Sequence, residues 1–357
     1  FTRDNDAIAQ LSQQGYAYAL HTLRGLSEAG FKTGFHAIGA LYRPKDAADL
    51  ERQTAIAHQQ SPNPEYAQWL TATALSKISG VCIQTDGWYF PQGGWVETPI
   101  LCQALIEQYP EQIQLKTSAT INRIVENADS RNPMNWSLIN SQGDIIHQAQ
   151  SLVLTQGCGI ADLDDCDLNS QCSIIPNRGQ ISLLNTTKHP LKTALCGQGY
   201  VIPFSTDQLI IGSTYKINST RLQADDHDKN ALHDQLKKTL PDLAQTLTGS
   251  CQSWTGIRTT SLDRMPLIGG VFNNTRFMES CRDMVRGKAP LKPPAPSARR
   301  DLYVMTGLGS RGIAYGLICA EALASQLNNE PGPLPTKIRN AMDSRRLLIR
   351  EIKQSPA

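Results

Sequence analysis

The spacing of apolar residues changes several times along this chain, and each change predicts an element. Ala7, Ile8, Leu11, Ala19, Leu23 and Leu26 recur at helical spacing up to Gly30 and predict one amphipathic helix. Residues 35–42 have strand character, 47–60 predict a polar helix, 62–74 a short helical stretch enclosing Trp69, and 81–90 a strand. Gly93-Gly94-Trp95 makes a turn, Glu97-Thr98-Pro99 a helix entry, and 100–109 the helix itself. Residues 113–125, 136–140 and 145–149 then predict a three-strand meander, and 151–155 a buried strand that stops at Gly157-Cys158-Gly159.

The second half is dominated by short strands at 179–184, 199–203, 209–214 and 249–258, with one helix at 229–240. A loop rich in proline and lysine follows at 282–300, then a last strand at 301–306, a glycine turn at 307–312 and an apolar helix at 313–327. Alternating helices and strands over 357 residues predict a mixed α/β protein of two domains. Hydrophobic residues make up 40% of the chain, an ordinary globular share, so disorder and fibrous repeats are excluded. No run of about 18 residues escapes charge, so no bilayer span is expected, and the protein reads as soluble. The sequence opens at Phe1 with neither an initiator methionine nor a secretory leader, which implies an N-terminal segment beyond it.

Charge and cysteine content add less. Nine scattered cysteines without C-x-x-C or zinc spacing fit a reducing, cytoplasmic compartment and no metal site, and Cys166 and Cys172, close in sequence, read as buried thiols acting as small hydrophobes. The net charge of +2 conceals two basic segments: Arg276 to Arg300 carries seven bases against two acids, and Lys337 to Lys353 six against two. Either these segments contact a polyanion or they are solvated surface.

Two places carry candidate chemistry. Gly307-Leu-Gly309-Ser310-Arg311-Gly312 matches G-x-G-x-x-G between a strand and a helix, yet the helix runs into Asn-Asn-Glu330-Pro-Gly-Pro. No second strand ending in an acidic residue follows, so a standard dinucleotide half-fold is rejected there. What remains is a helix N-terminus offering N–H groups to something electron-rich, or tight packing of helix on strand. The second place is Arg258, at a strand end before Asp263 and Pro266. Its guanidinium suits a ligand carboxylate or a structural ion pair with Asp263.

These pieces stand in the order of a known family. Gly93-Gly94-Trp95, the strand 151–157, Arg178-Gly-Gln180, Gly199-Tyr200-Val-Ile-Pro203, Gly212-Ser-Thr-Tyr215, Gly256-Ile-Arg258 with Asp263 and Pro266, and the final glycine turn resemble the D-amino-acid-oxidase-like (DAO) FAD-dependent amine oxidoreductases. The turn 307–312, Asn329-Glu330-Pro331 and the basic tail resemble one branch, the oxidase domain of bifunctional tRNA 5-methylaminomethyl-2-thiouridine biosynthesis proteins.

The resemblance implies an FAD/NAD(P)-binding three-layer domain formed by residues 1–34, 96–172 and 301–357, and an antiparallel-sheet substrate domain formed by 35–95 and 173–300. The family opens with a G-x-G-x-x-G βαβ unit; none precedes Phe1, so the resemblance implies an FAD domain short of that unit. It implies an oxidoreductase acting on CH–NH that removes the carboxymethyl group of 5-carboxymethylaminomethyl-(2-thio)uridine at the tRNA wobble position, giving 5-aminomethyl-(2-thio)uridine and glyoxylate. The implied partners are tRNA and a methyltransferase domain of the same polypeptide that uses S-adenosylmethionine and is absent from this sequence. Arg258 would clamp the substrate carboxylate, Tyr200 would hydrogen-bond it, and Arg311 would supply a second cation. Gly307, Gly309, Ser310, Gly312 and Ile313 would hold the flavin, with Val125 at the adenine and Gly157 beside the pyrophosphate. The alternatives are a flavin oxidase or dehydrogenase of free small amino acids such as glycine, sarcosine or proline, and a non-catalytic fragment.

Overall fold

The computed structural model describes residues 6–127, 134–163, 168, 171–277 and 298–354. In chain order the first elements are α1 (Ala7–Glu28), β1 (Phe35–His36), β2 (Ala40–Tyr42), α2 (Ala47–Gln59), β3 (Gln68–Leu70), α3 (Ala72–Ser79), β4 (Gly87–Phe90), β5 (Trp95–Val96) and α4 (Thr98–Glu107). Next come β6 (Arg123–Glu126), β7 (Trp136–Ile139), β8 (Ile145–Ala149), β9 (Leu152–Leu154), β10 (Ile174–Thr186), β11 (Ala194–Gly197), β12 (Gly199–Ser205), β13 (Gln208–Gly212) and β14 (Lys216–Ile217). The last are α5 (Asp226–Thr239), β15 (Leu247–Ser261), β16 (Leu267–Phe272), β17 (Ala298–Thr306), α6 (Gly312–Leu327), α7 (Thr336–Met342) and α8 (Arg346–Gln354). The chain forms two compact units: one holds Leu20–Gln112 and Asn177–Ile257, the other Ala7–Ala19, Ile113–Pro176 and the chain from Arg258 onward. The break at Arg258 falls inside β15, and α4 belongs to the first unit.

The first unit is built on a nine-stranded mixed sheet in the order β14-β10-β13-β12-β11-β2-β4-β3, with β15 also paired to β10. Alternation along β11, β12 and β13 sends Leu195, Val201, Leu209 and Ile211 to one face, where they pack on Leu232 and Leu236 of α5. A buried polar network holds the start of α5. Arg178 donates to Asp228, and Lys216 Nζ lies 2.7 Å from the other oxygen of that carboxylate. Burial pushes the Asp228 carboxyl up, but Lys216 and Arg178 outweigh it and hold the group below its usual range.

Several sequence expectations need correction in this unit. Trp69 lies in β3, not in a helix: it pairs across to Trp88 of β4, with ring centroids 5.2 Å apart, and the helix begins only after the Thr71 cap. The strand expected over 35–42 is broken by Gly39, whose φ of 75° turns the chain between β1 and β2. A side chain there would strike Tyr89, 2.8 Å from the Cβ position.

The second unit has three layers. β17 pairs antiparallel with β16 and parallel with β9. On one face of that small sheet, Tyr303 and Met305 pack with Leu11 of α1 and Tyr315 and Ile318 of α6. On the other face, Leu302 and Val304 pack with Ile124 and Trp136 of the β6-β7-β8 meander. The meander is pinned by Trp136 Nε1 donating to the Arg300 carbonyl (2.8 Å) and Asn135 Nδ2 donating to Asp301 (2.9 Å). Its first strand is shorter than expected, Arg123–Glu126 rather than 113–125. The strand expected as buried at 151–155 lies, among the described residues, at the edge of its sheet, with Val153 37% exposed. Residues 282–297 of the proline-rich loop, Cys166, Cys281 and the last three residues of the chain lie outside the described residues.

Candidate functional site

Because β9 and β17 run parallel, with Leu152 beside Leu302 and Leu154 beside Val304, their C-terminal ends emerge together. Each leads into a glycine with positive φ, Gly157 at 61° and Gly307 at 73°, followed in the second turn by Gly309 at 59°. The end of β15 runs against all three. A Cβ on Gly157 would lie 3.4 Å from the Thr259 methyl, one on Gly309 3.1 Å from the Thr260 methyl, and one on Gly307 3.5 Å from the Ser261 nitrogen. Thr260 and Leu308 form an antiparallel bridge. Two glycine turns 150 residues apart in sequence are thus gathered around three consecutive hydroxyl residues, at the carboxyl ends of parallel strands, where ligands bind in open α/β sheets.

The second turn ends in a helix with its N-terminus open. Gly309–Arg311 forms a single 3-10 turn, and α6 starts at Gly312 without a side-chain cap. Ser310, Arg311 and Gly312 are exposed, Ile313 is half-buried, and a Cβ on Gly312 would meet nothing within 4 Å. The first N–H groups of α6 therefore carry the helix's partial positive charge outward. Among the described residues α6 is followed by α7 and α8 and by no further strand. Arg311 is tied to its own helix, with Nη1 donating to the Tyr315 hydroxyl at 2.9 Å. That hydroxyl lies 2.8 Å from Ser12 Oγ of α1.

Arg258 stands one residue before Thr259 and, by strand alternation, shares a face with Thr260. It is half-buried, with Nη1 closed off from solvent. The carboxylate that sequence offered as its structural partner is taken by another arginine. Arg346 Nε and Nη2 donate to the two oxygens of Asp263 at 2.8 and 2.7 Å. Burial raises the Asp263 carboxyl, but the fork from Arg346 dominates and brings it down to about 2.

Two further expected residues belong to other elements. Val125 is on β6, 36% exposed. Tyr200 is in the first unit, on β12 opposite Cys196 and Gly212, and lines a pocket with Arg43, Gln198 and Gln235. The basic tail is in part internal: Arg345 pairs with Asp343 and Arg346 with Asp263, leaving Lys337, Arg339 and Arg350 as its further described cations. Sequence reading passed over Thr259, Thr260 and Ser261. The signal was present as three hydroxyl residues in a row directly after Arg258. Among the described residues one metal-like cluster occurs, Asp225, His227 and Asp228, and its two carboxylates already face Arg178 and Lys216. No described helix is long and apolar enough to cross a membrane.

Known proteins share both sequence and fold with this chain. It is 29% identical over 351 residues to the tRNA 5-methylaminomethyl-2-thiouridine biosynthesis bifunctional protein MnmC of Azoarcus sp. (strain BH72), covering 97% of this chain and 52% of that protein. It is 30% identical over 353 residues to the protein of the same name from Chromobacterium violaceum, covering 97% and 51%. The chain thus spans about half the length of these curated relatives. Its fold matches the crystal structure of glycine oxidase from Geobacillus kaustophilus with a TM-score of 0.71 at 19% identity, over 94% of this chain and 82% of that one. The family described as FAD dependent oxidoreductase (DAO) matches residues 2–326, and the chain belongs to that family.

Proposed function

We propose that this chain is the flavin-dependent half of a tRNA-modifying enzyme, removing the carboxymethyl group from 5-carboxymethylaminomethyl-(2-thio)uridine at the wobble position as glyoxylate. The observation that carries this reading is the convergence of Gly157, Gly307 and Gly309 on the strand end that begins at Arg258. The likeness to bifunctional tRNA 5-methylaminomethyl-2-thiouridine biosynthesis proteins supports the tRNA substrate.

The residues at the turn fit an electron-rich cofactor edge, because the Gly312 position is open and the N-terminus of α6 has no side-chain cap. Gly309, Ser310, Gly312 and Ile313 would hold the flavin pyrimidine edge through backbone N–H groups. Positive-φ Gly307 and Gly157 let the backbone come close to the cofactor, and Val125 keeps its proposed place at the adenine. Bound FAD supplies a two-electron acceptor for hydride.

The protein's own residues orient the substrate. The reacting group is an N-substituted glycine; loss of hydride from its methylene leaves a C=N bond, and water adds to that carbon. The C–N bond then breaks to release glyoxylate, and 5-aminomethyl-(2-thio)uridine stays on the tRNA. Arg258 clamps the carboxylate in bidentate fashion, which fixes the methylene, and Tyr200 donates a hydrogen bond to the substrate. Arg311 adds positive charge at the start of α6. The proposed residence is the cytoplasm, beside a methyltransferase domain that uses S-adenosylmethionine.

Incubation of the whole protein with tRNA bearing the carboxymethylaminomethyl group, followed by nucleoside analysis, tests the reading. One glyoxylate per 5-aminomethyl nucleoside is expected. Intact modified nucleoside, with oxidation of free glycine or proline instead, would replace it with an oxidase of small amino acids.

A further inference from the structure

The first unit carries an aromatic step outside the residues used so far. β1 and β5 are two-residue strands whose register places His36 directly opposite Trp95. Their rings are stacked, with centroids 3.9 Å apart and planes 2° from parallel. Gly94 makes that approach possible, since a Cβ there would lie 1.9 Å from the His36 carbonyl oxygen. Phe204 extends the step, its ring 5.4 Å from that of Trp95.

Phe204 is the extra residue of a bulge. The β12–β13 register runs from Pro203 opposite Leu209 to Ser205 opposite Gln208 and skips Phe204. A bulge re-aims the side chain of its unpaired residue. Phe204 is 38% exposed, and the His36 side chain 42%. Both rings stay open although each lies against Trp95, His36 stacked at 2° and Phe204 tilted at 44°. Two further observations fix the kind of ligand. Exposed Arg24 hydrogen-bonds Gln92 at 2.8 Å, in the turn leading to Trp95, and supplies a cation suited to a phosphodiester. Phe204 also lies four residues along β12 from Tyr200, roughly 13 Å for an extended strand, which is the reach of the modified side chain, its base and a neighbouring base.

We infer that His36, Trp95 and Phe204 form a stacking surface for a nucleobase of the anticodon loop next to the wobble uridine. The inference rests on the tRNA reading above and adds to it a means of holding a single-stranded loop. Single-stranded bases are held by aromatic stacking, worth about 1–3 kcal/mol per base, beside cations that follow the backbone. His36 also pairs with Glu97 at 3.1 Å, which anchors the ring that faces Trp95.

The test uses the whole protein and anticodon stem-loop RNA in two forms, one intact and one with an abasic site at either neighbour of the wobble nucleotide. For the wild type, loss of the stacked base weakens binding about ten-fold, within the range for one stacked base. In Phe204→Ala and Trp95→Ala that penalty falls below about two-fold, and in Phe204→Tyr it is retained, since stacking needs a ring and not a particular one. An equal abasic penalty in wild type and both alanine variants would overturn the inference. Wobble-nucleoside conversion is measured in parallel. Conversion without a change in the abasic penalty rejects the stacking surface alone, and an altered penalty without conversion rejects the reaction alone.

Discussion

Arg346 reaches back 83 residues to grip Asp263 through both of its carboxylate oxygens. This pair joins the start of α8 to the turn after β15, the strand that carries Arg258. It makes Asp263 a structural anchor of the site, with Ser261 Oγ 2.9 Å from the same carboxylate.

The pair gives the fold a defined acid sensitivity. Asp263 sits at about 2 in the folded protein, below the ~3.9 of an unfolded aspartate, so its contribution of roughly 2 kcal/mol is complete above pH ~4. It is lost as pH falls through about 2. Arg346→Met should lower the urea midpoint at pH 6 and lie closer to wild type near pH 2. A gap that stays constant across that range would show that the pair contributes no charge-dependent stability.

A helix crossing supports the glycine turn from beneath. A Cβ on Gly15 of α1 would lie 2.6 Å from the Ala314 carbonyl oxygen, in the first turn of α6. In an open helix, Gly→Ala should stabilise by up to ~1 kcal/mol through propensity. Overpacking here should reverse the sign, with Gly15→Ala destabilising by about 1–3 kcal/mol in chemical denaturation. A gain in stability would mean that the two helices cross with more space than the structure gives them.

Gly312 and Gly309 should respond differently. Gly312 has helical φ and open space, so Gly312→Ala should fold normally yet lower flavin content, because its methyl enters the region in front of the N-terminus of α6. Gly309, with a φ of 59° and Thr260 at 3.1 Å, should lose about 1–2 kcal/mol of stability on substitution by alanine. Thermal unfolding and flavin absorbance, measured on both variants, separate the two effects. Unchanged flavin content in Gly312→Ala would move the cofactor edge elsewhere.

Arg258→Ala should cut kcat/KM on modified tRNA by an amount equal to about 2–4 kcal/mol, the scale of a charged hydrogen bond to substrate. Arg258→Lys should recover little, since an ammonium group does not reproduce the planar fork. Full turnover by the alanine variant would remove Arg258 from the carboxylate site.

What sequence made legible follows from the range of the forces involved. α1, the α6 helix with its glycine turn and the later meander strands were readable because period, glycines and turn residues act within a few positions. Trp69 was misplaced because its pairing with Trp88, across 19 positions, outweighs local helical signals. β11 and β16 were missed because short strands are specified by neighbours in the sheet. The Arg346–Asp263 pair was invisible for the same reason, so Asp263 was offered to the nearer Arg258. The role of Thr259, Thr260 and Ser261 at two distant turns emerges only when the parallel pairing of β9 and β17 brings those turns together.

A flavin site that oxidises a glycine unit carried on tRNA would show itself in the visible spectrum of the whole protein, recorded without oxygen while modified tRNA is added. The expected result is a flavin band that bleaches with tRNA bearing the carboxymethylaminomethyl group and persists with free glycine, sarcosine or proline. Bleaching by the free amino acids alone, or a protein with no flavin band, would contradict it.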